Sequence, residues 1–156
     1  GAPARAAAIE GESPFEVLQA RAIVESAIAE EAARRCDPAA VAAMDRILAR
    51  MAEAMGDPAR SLDLDGAFHI AVAMGTGNGL LADMTADIYR LRLSPFFSRL
   101  AAHFEGPGTW RLALAEHGAI RDAIAAGDAG AAREAMRHHL TESQRRFCGA
   151  FAADAA

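Results

Sequence analysis

Asp65 and His69 stand four residues apart, and two further histidines, His117 and His139, follow along the chain. On a helix, a spacing of four puts both side chains on one face. His117 and His139 flank a Gly127-Asp128 turn signal, each eleven residues from Asp128. Two antiparallel helices folded about that turn would carry the two imidazoles to the same height. Three neutral imidazoles and a carboxylate form an N/O donor set suited to zinc or a similar divalent ion. Four such ligands leave an octahedral ion two open positions, or a zinc ion room for a fifth ligand.

The elements that must position these residues read as helices throughout. Ser13-Pro14-Phe15-Glu16 is a capping box with Pro at the first helical position. It opens a helix to about Arg35. Asp37-Pro38 caps a second, to about Met55. Gly56-Asp57-Pro58 breaks the chain before a third, which carries Asp65 and His69 and ends near Gly75-Thr76-Gly77. Asn78 caps a fourth, expected to continue to about Ala102 with a kink or split at Ser94-Pro95. Glu105–Gly108 reads as a loop. A fifth helix from about Thr109 to Ala126 carries His117, and a sixth, capped by Asp128, carries His139 and fades near Phe151. No segment alternates with period two. The expected fold is all-α, an antiparallel bundle of about six to seven helices.

The helical period sorts the five histidines. His117 shares a stripe with Ala113, Ile120 and Ile124, and His139 with Ala132, Ala135 and Met136. His138 falls with Glu134, Thr141, Glu142 and Arg145, a solvated face. His69 lies with Asp65, Val72 and Ala73. His103 closes the fourth helix, where the helix dipole favours it. A single inward histidine is commonly a hydrogen-bonded core residue. Three of them with an inward Asp are costly to bury separately, roughly 1–3 kcal/mol each. A shared ion satisfies all four, and on spacing alone both readings stand.

Composition narrows the classes of function. The chain has 156 residues, 53% of them hydrophobic, enough for one domain with a core. The net charge of −5 argues against this segment gripping nucleic acid by itself. No apolar run is long enough to span a bilayer, and no signal-peptide pattern opens the chain. Cys36 and Cys148 form no CxxC pair and fit a reducing compartment, so a cytoplasmic location is expected. Gly75-Thr-Gly-Asn-Gly79 follows no strand and lacks a P-loop lysine, so it reads as an interhelical turn. The Gly1-Ala2 start fits a fragment or tag remnant, with residues 1–12 as a linker and 13–153 as one domain.

Taken in order, several stretches resemble one family: Phe15–Glu25, Asp65-Gly-Ala-Phe68-His69, Gly77-Asn78, Glu116-His117 through Gly127-Asp128, and Ala132, Ala135-Met136, His138-His139-Leu140. The resemblance is to the C-terminal ligand-sensing (FCD) domain of FadR-type GntR transcription regulators, and it covers nearly all of residues 13–147. It implies a FadR C-terminal-domain-like bundle that forms a homodimer. It also implies the metal-containing branch, whose ligands map onto Asp65, His69, His117 and His139. Acyl-CoA is not carried over as effector, because the acyl-binding founder belongs to the branch without this site. Operator DNA would be bound only through an N-terminal winged helix-turn-helix, absent from this chain.

The expected cofactor is a divalent metal, zinc foremost, with nickel, manganese or iron also compatible. The expected effector is a small organic acid, bound through oxygen at the open positions. Arg21, matching an arginine of the family's first helix, is one candidate to hold its carboxylate. Asn78 is the other, with plain helix capping as its competing role. Arg90 and Arg92 are expected on the surface. The rival readings are a metal-dependent hydrolase-like enzyme and a dimerisation module with a structural metal. A hydrolase would need a general base, and Glu116 points about 100° away from His117 on the same helix. No catalytic residue is therefore assigned.

Overall fold

A computed structural model describes residues 13–154 of the chain; the expected linker, residues 1–12, lies outside them. The described residues form seven helices and no strand: α1 (Pro14–Arg35), α2 (Pro38–Glu53), α3 (Pro58–Met74), α4 (Gly79–Arg92), α5 (Pro95–Phe104), α6 (Pro107–Ala125) and α7 (Ala129–Asp154). Among the described residues, no helix is long and apolar enough to cross a membrane.

Local chemistry sets the breaks. All six helices after the first begin at a capping side chain or a proline. Asp37 accepts from the Ala39 amide at 3.0 Å and Asp57 from Arg60 at 3.1 Å, each with Pro at the next position. At α1, Glu16 reaches back to the Ser13 amide at 3.4 Å. Between α6 and α7, Gly127 adopts φ 68°, and the Asp128 amide donates to the Ala123 carbonyl at 3.0 Å. That six-to-one bond closes α6 in a Schellman-type turn, a backbone shape that favours glycine. Asp128 then caps α7 through the Ala131 amide at 2.9 Å.

The expected fourth helix is two. Ser94 accepts from the Phe97 amide at 3.2 Å and Pro95 follows, so the chain stops α4 at Arg92 and restarts as α5. The expected loop over Glu105–Gly108 is shorter than its composition suggests. Pro107 fits the first turn of α6, where its missing N–H would have no partner anyway, leaving Glu105 and Gly106 as the link.

The bundle closes around small residues. α1 runs along α7, α7 along α6, and α3 lies between α2 and α4. Ala29, Ala32 and Ala33 of α1 and Ala132 of α7 are fully buried, and their short side chains let the helices approach closely. Met44, Phe68, Ile120, Ile124, Met136 and Leu140 fill the centre. A separate cluster of Leu18, Phe97 and Phe147, with Phe104 against it, closes one end. The Phe97 and Phe147 rings stack at 5.3 Å. α3, α6 and α7, with α1 and α4 beside them, thus enclose the polar group described next.

Candidate metal centre

Asp65, His69, His117 and His139 are all buried, and each turns one donor atom inward so that the four atoms lie within 4.8 Å of one another. Asp65 and His69 come from adjacent turns of α3, His117 from α6 and His139 from α7. The Nε2 atoms of His117 and His139 are 3.1 Å apart. Asp65 Oδ1 is 3.3 Å from His117 Nε2 and 3.8 Å from His69 Nε2. The sorting by helical period holds: His138 and His103 are exposed.

Each inward group is held from behind. Asp65 Oδ2 accepts from the Tyr89 hydroxyl at 2.7 Å and from Arg92 at 2.9 Å, which leaves Oδ1 for the centre. The Tyr89 ring reaches that position by lying on Gly66, where a Cβ would sit 2.6 Å from Tyr89 Cε1. His139 Nδ1 donates to Glu116 at 2.6 Å, so its Nε2 presents a lone pair inward. Glu116 in turn accepts from Arg146 at 2.8 and 3.0 Å. Phe68 stacks on the His117 ring at 4.3 Å.

The electrostatics suit a cation. Burial opposes the charge on Asp65, but the hydrogen bond from His117 and the charge of Arg92 outweigh it and hold the carboxyl well below its usual range. Burial, with Arg21 nearby, pushes His69 well below an ordinary histidine. Burial and His117 lower His139 to about 4, against the pull of Glu116. Burial also works against Glu116, yet its bonds from His139 and Arg146 bring it down to about 2. At neutral pH the group is therefore a carboxylate with His69 and His139 uncharged, the protonation state a metal needs.

Two observations test the fit. Neither nitrogen of His69 has a hydrogen-bond partner, although the ring is buried; Glu25 Oε1 is 3.4 Å from Nδ1 but out of line. Ligand bonds of about 2.0–2.2 Å allow donors up to roughly 4.4 Å apart, close to the observed spread. The donor set fits a divalent ion such as zinc, and His117 Nε2–H, between two acceptors, marks the place a cation would take.

Arg21 sits in the same buried region. Its Nε donates to Glu25 at 3.0 Å, its guanidinium lies 5.1 Å from the centre of the Tyr89 ring, and its two terminal nitrogens have no hydrogen-bond partner. Asn78 is exposed, and its Oδ1 accepts from the Leu80 and Leu81 amides at 3.0 and 3.4 Å; the structure gives it the capping role. Arg90 is exposed and pairs with Asp87 at 2.8 Å, as expected. Arg92 corrects the expectation of a surface side chain: it is 6% exposed and joins Asp65 to Glu105. Glu25, Tyr89 and Glu116 were missed as supports. An acid at i−1 to one ligand on an antiparallel pair is a signal that could have pointed to Glu116, because it faces the back of the other ligand.

Residues 16–142 match the FCD domain. Among curated proteins, the chain is 33% identical over 138 residues to the Uxu operon transcriptional regulator of Escherichia coli strain K12, covering 86% of this chain and 53% of that protein. It is 32% identical over 128 residues to the Uxu operon regulator of Haemophilus influenzae, covering 81% and 48%. It is 32% identical over 135 residues to the Exu regulon transcriptional regulator of Escherichia coli strain K12, covering 84% and 50%. The chain thus spans about half the length of the curated relatives it matches. These relatives are named as regulators and not as enzymes. Among solved structures, E. coli McbR/YncC superimposes with a TM-score of 0.75 at 17% identity, over 87% of this chain and 64% of that one, a likeness of fold.

Proposed function

The chain belongs to the FCD domain family of GntR-type regulators, and from that premise we propose that it is the effector-sensing, dimerising part of a transcriptional regulator. Its centre holds a divalent metal ion on Asp65, His69, His117 and His139. Zinc suits the donors best, and nickel, manganese or iron would also fit. When bound, the ion offers open coordination positions that polarise and hold an oxygen ligand. The effector is a small organic acid whose carboxylate is shared with Arg21. Residues 13–153 act as this unit, and a winged-helix domain outside the chain reads operator DNA.

The observation that carries the reading is a pair of buried deficits. His69 has two nitrogens without partners, and Arg21 has two terminal nitrogens without partners. A buried donor left unpaired costs about 1–3 kcal/mol, and a charged one more. A cation satisfies His69 Nε2, on the side of Asp65, while Nδ1 stays turned toward Glu25 Oε1 at 3.4 Å; a carboxylate satisfies the second deficit. The protein residues divide the work. Tyr89 and Arg92 fix Asp65, Glu116 fixes His139, and Glu25 holds Arg21 through Nε while leaving its terminal nitrogens free to grip a carboxylate in two-pronged fashion. Regulation follows if the acid binds one dimer arrangement more tightly than the other and so shifts the spacing of the DNA-reading domains.

Thermal unfolding of zinc-loaded and chelator-treated protein, each with and without lactate as a simple α-hydroxy acid, tests this. The proposal expects stabilisation by zinc and a further stabilisation by lactate that needs zinc. Stabilisation by zinc with none from lactate or from other short hydroxy acids and carboxylates would favour a purely structural metal.

A further inference from the structure

His69 lies between two carboxylates. Its Nδ1 is 3.4 Å from Glu25 Oε1, and its Nε2 is 3.8 Å from Asp65 Oδ1. A neutral imidazole has one N–H and can donate to one of them only. The choice decides what the ring offers the centre. With the proton on Nδ1, Nε2 turns a lone pair toward Asp65, His117 and His139. With the proton on Nε2, the ring turns a donor inward and cannot be a ligand through that atom.

The surroundings favour the proton on Nδ1. Asp65 Oδ1 is the farther oxygen, and it already faces His117 Nε2 at 3.3 Å. Glu25 Oε1 is the nearer, and its carboxylate is anchored: Oε2 accepts from Arg21 Nε at 3.0 Å, one turn back on α1. Glu25 is 3% exposed and His69 1%, a setting in which a hydrogen bond is electrostatically stronger than in water. The neighbouring ligand has the same arrangement in finished form. His139 Nδ1 donates to Glu116 at 2.6 Å while its Nε2 faces the centre. At His69 the distance is longer and the approach is out of line, so the same support stands one small turn of the ring from completion.

We propose that Glu25 is the positioning residue of His69. It draws the ring proton to Nδ1, frees Nε2 for the ion, and with its other oxygen fixes Arg21. One carboxylate on α1 thereby sets both a metal ligand on α3 and the group that grips the acid. This rests on the metal-centre reading above and adds the residue that makes His69 competent for it.

The test holds charge constant. Arg21→Met with Glu25→Gln, and Arg21→Met with Glu25→Leu, remove the same ion pair, and only the first leaves an oxygen to accept from Nδ1. Zinc affinity, read by competition with a chromophoric chelator, is expected to be roughly 10–100-fold weaker in the leucine pair than in the glutamine pair. Equal affinities would overturn the proposal. The tautomer is read directly by long-range proton–nitrogen NMR of the metal-free protein with isotope-labelled histidine, His69→Gln identifying the signals of the ring. The Nδ1–H form is expected in the unmodified chain and in the glutamine pair, with a shift toward the Nε2–H form in the leucine pair. An Nε2–H ring in the unmodified chain would overturn the proposal even where the leucine pair fails to fold. Zinc that does not bind the unmodified chain, with His69 in the Nδ1–H form, would overturn the metal reading and leave Glu25 as the residue that sets the tautomer.

Discussion

His117 Nε2 and His139 Nε2 face each other at 3.1 Å across the α6–α7 hairpin. The two residues are equidistant from the Gly127-Asp128 turn, and the hairpin folds back so that equal distances meet. Two buried imidazoles this close, with Asp65 Oδ1 at 3.3 Å from one of them, are electrostatically favourable only with a proton or a cation between them. The following outcomes derive from that arrangement and its supports.

Glu116 orients His139 without itself facing the centre. Glu116→Gln keeps the shape but weakens the acceptor behind Nδ1. Metal affinity is expected to fall roughly 10–100-fold, read by competition with a chromophoric chelator. Little loss of stability should accompany it, because Glu116 is only part-buried.

Gly66 allows the Tyr89 ring its position. Gly66→Ala would gain up to about 1 kcal/mol of helix propensity. It would also drive a Cβ into a ring 2.6 Å away, and overpacking of this kind costs about 1–3 kcal/mol. Net destabilisation is expected in urea unfolding, together with weaker metal binding as Asp65 loses the hydroxyl. Tyr89→Phe should weaken metal binding with a smaller stability loss, about 1 kcal/mol.

Acid should destabilise the metal-free protein early. His139 drops to about 4 from an ordinary 6.5, and His69 is lowered as well, in both cases chiefly by burial. As pH falls below about 6.5 the unfolded chain takes up protons that the folded one refuses. The stability from these neutral rings is complete above that pH and is lost progressively as pH falls toward 4. His139 alone accounts for about 3 kcal/mol across the window. In chelator, the midpoint of thermal unfolding at pH 5 is expected to lie about 5–10 °C below that at pH 7.5. A flat profile would show that these rings are not buried neutral.

Arg21 and Glu25 form a buried pair, so removing one alone strands the other charge. The paired substitution Arg21→Met, Glu25→Gln avoids this. It is expected to keep zinc binding and to weaken lactate binding roughly tenfold or more. Calorimetry in the presence of zinc measures both.

Much of this centre was legible in the sequence because it depends on local periodicity. The side of the helix each histidine faces follows from its neighbours at three and four residues, and the His117–His139 meeting follows from a turn signal. The supports were not legible, because they depend on how distant helices pack. Arg92 sits in the last turn of α4, where a solvated cation is ordinary; only its placement beside Asp65, 27 residues away, draws it inside. Glu116 points away from His117 on its own helix, and that same direction carries it to His139 on the next helix. Asn78 has a cap to make whatever else surrounds it, and its exposure leaves that as its role in the structure. The split of α4 from α5 turned on whether Ser94 would cap, which a Ser-Pro pair leaves undecided.

The central claim is that the four convergent donors hold a metal ion. Elemental analysis of protein purified without a nickel column or chelator tests it most directly, with His117→Ala, verified as folded by circular dichroism, as control. The account predicts about one divalent ion per chain, lost in the variant. No metal in the unmodified protein, and no uptake of added zinc, would contradict it.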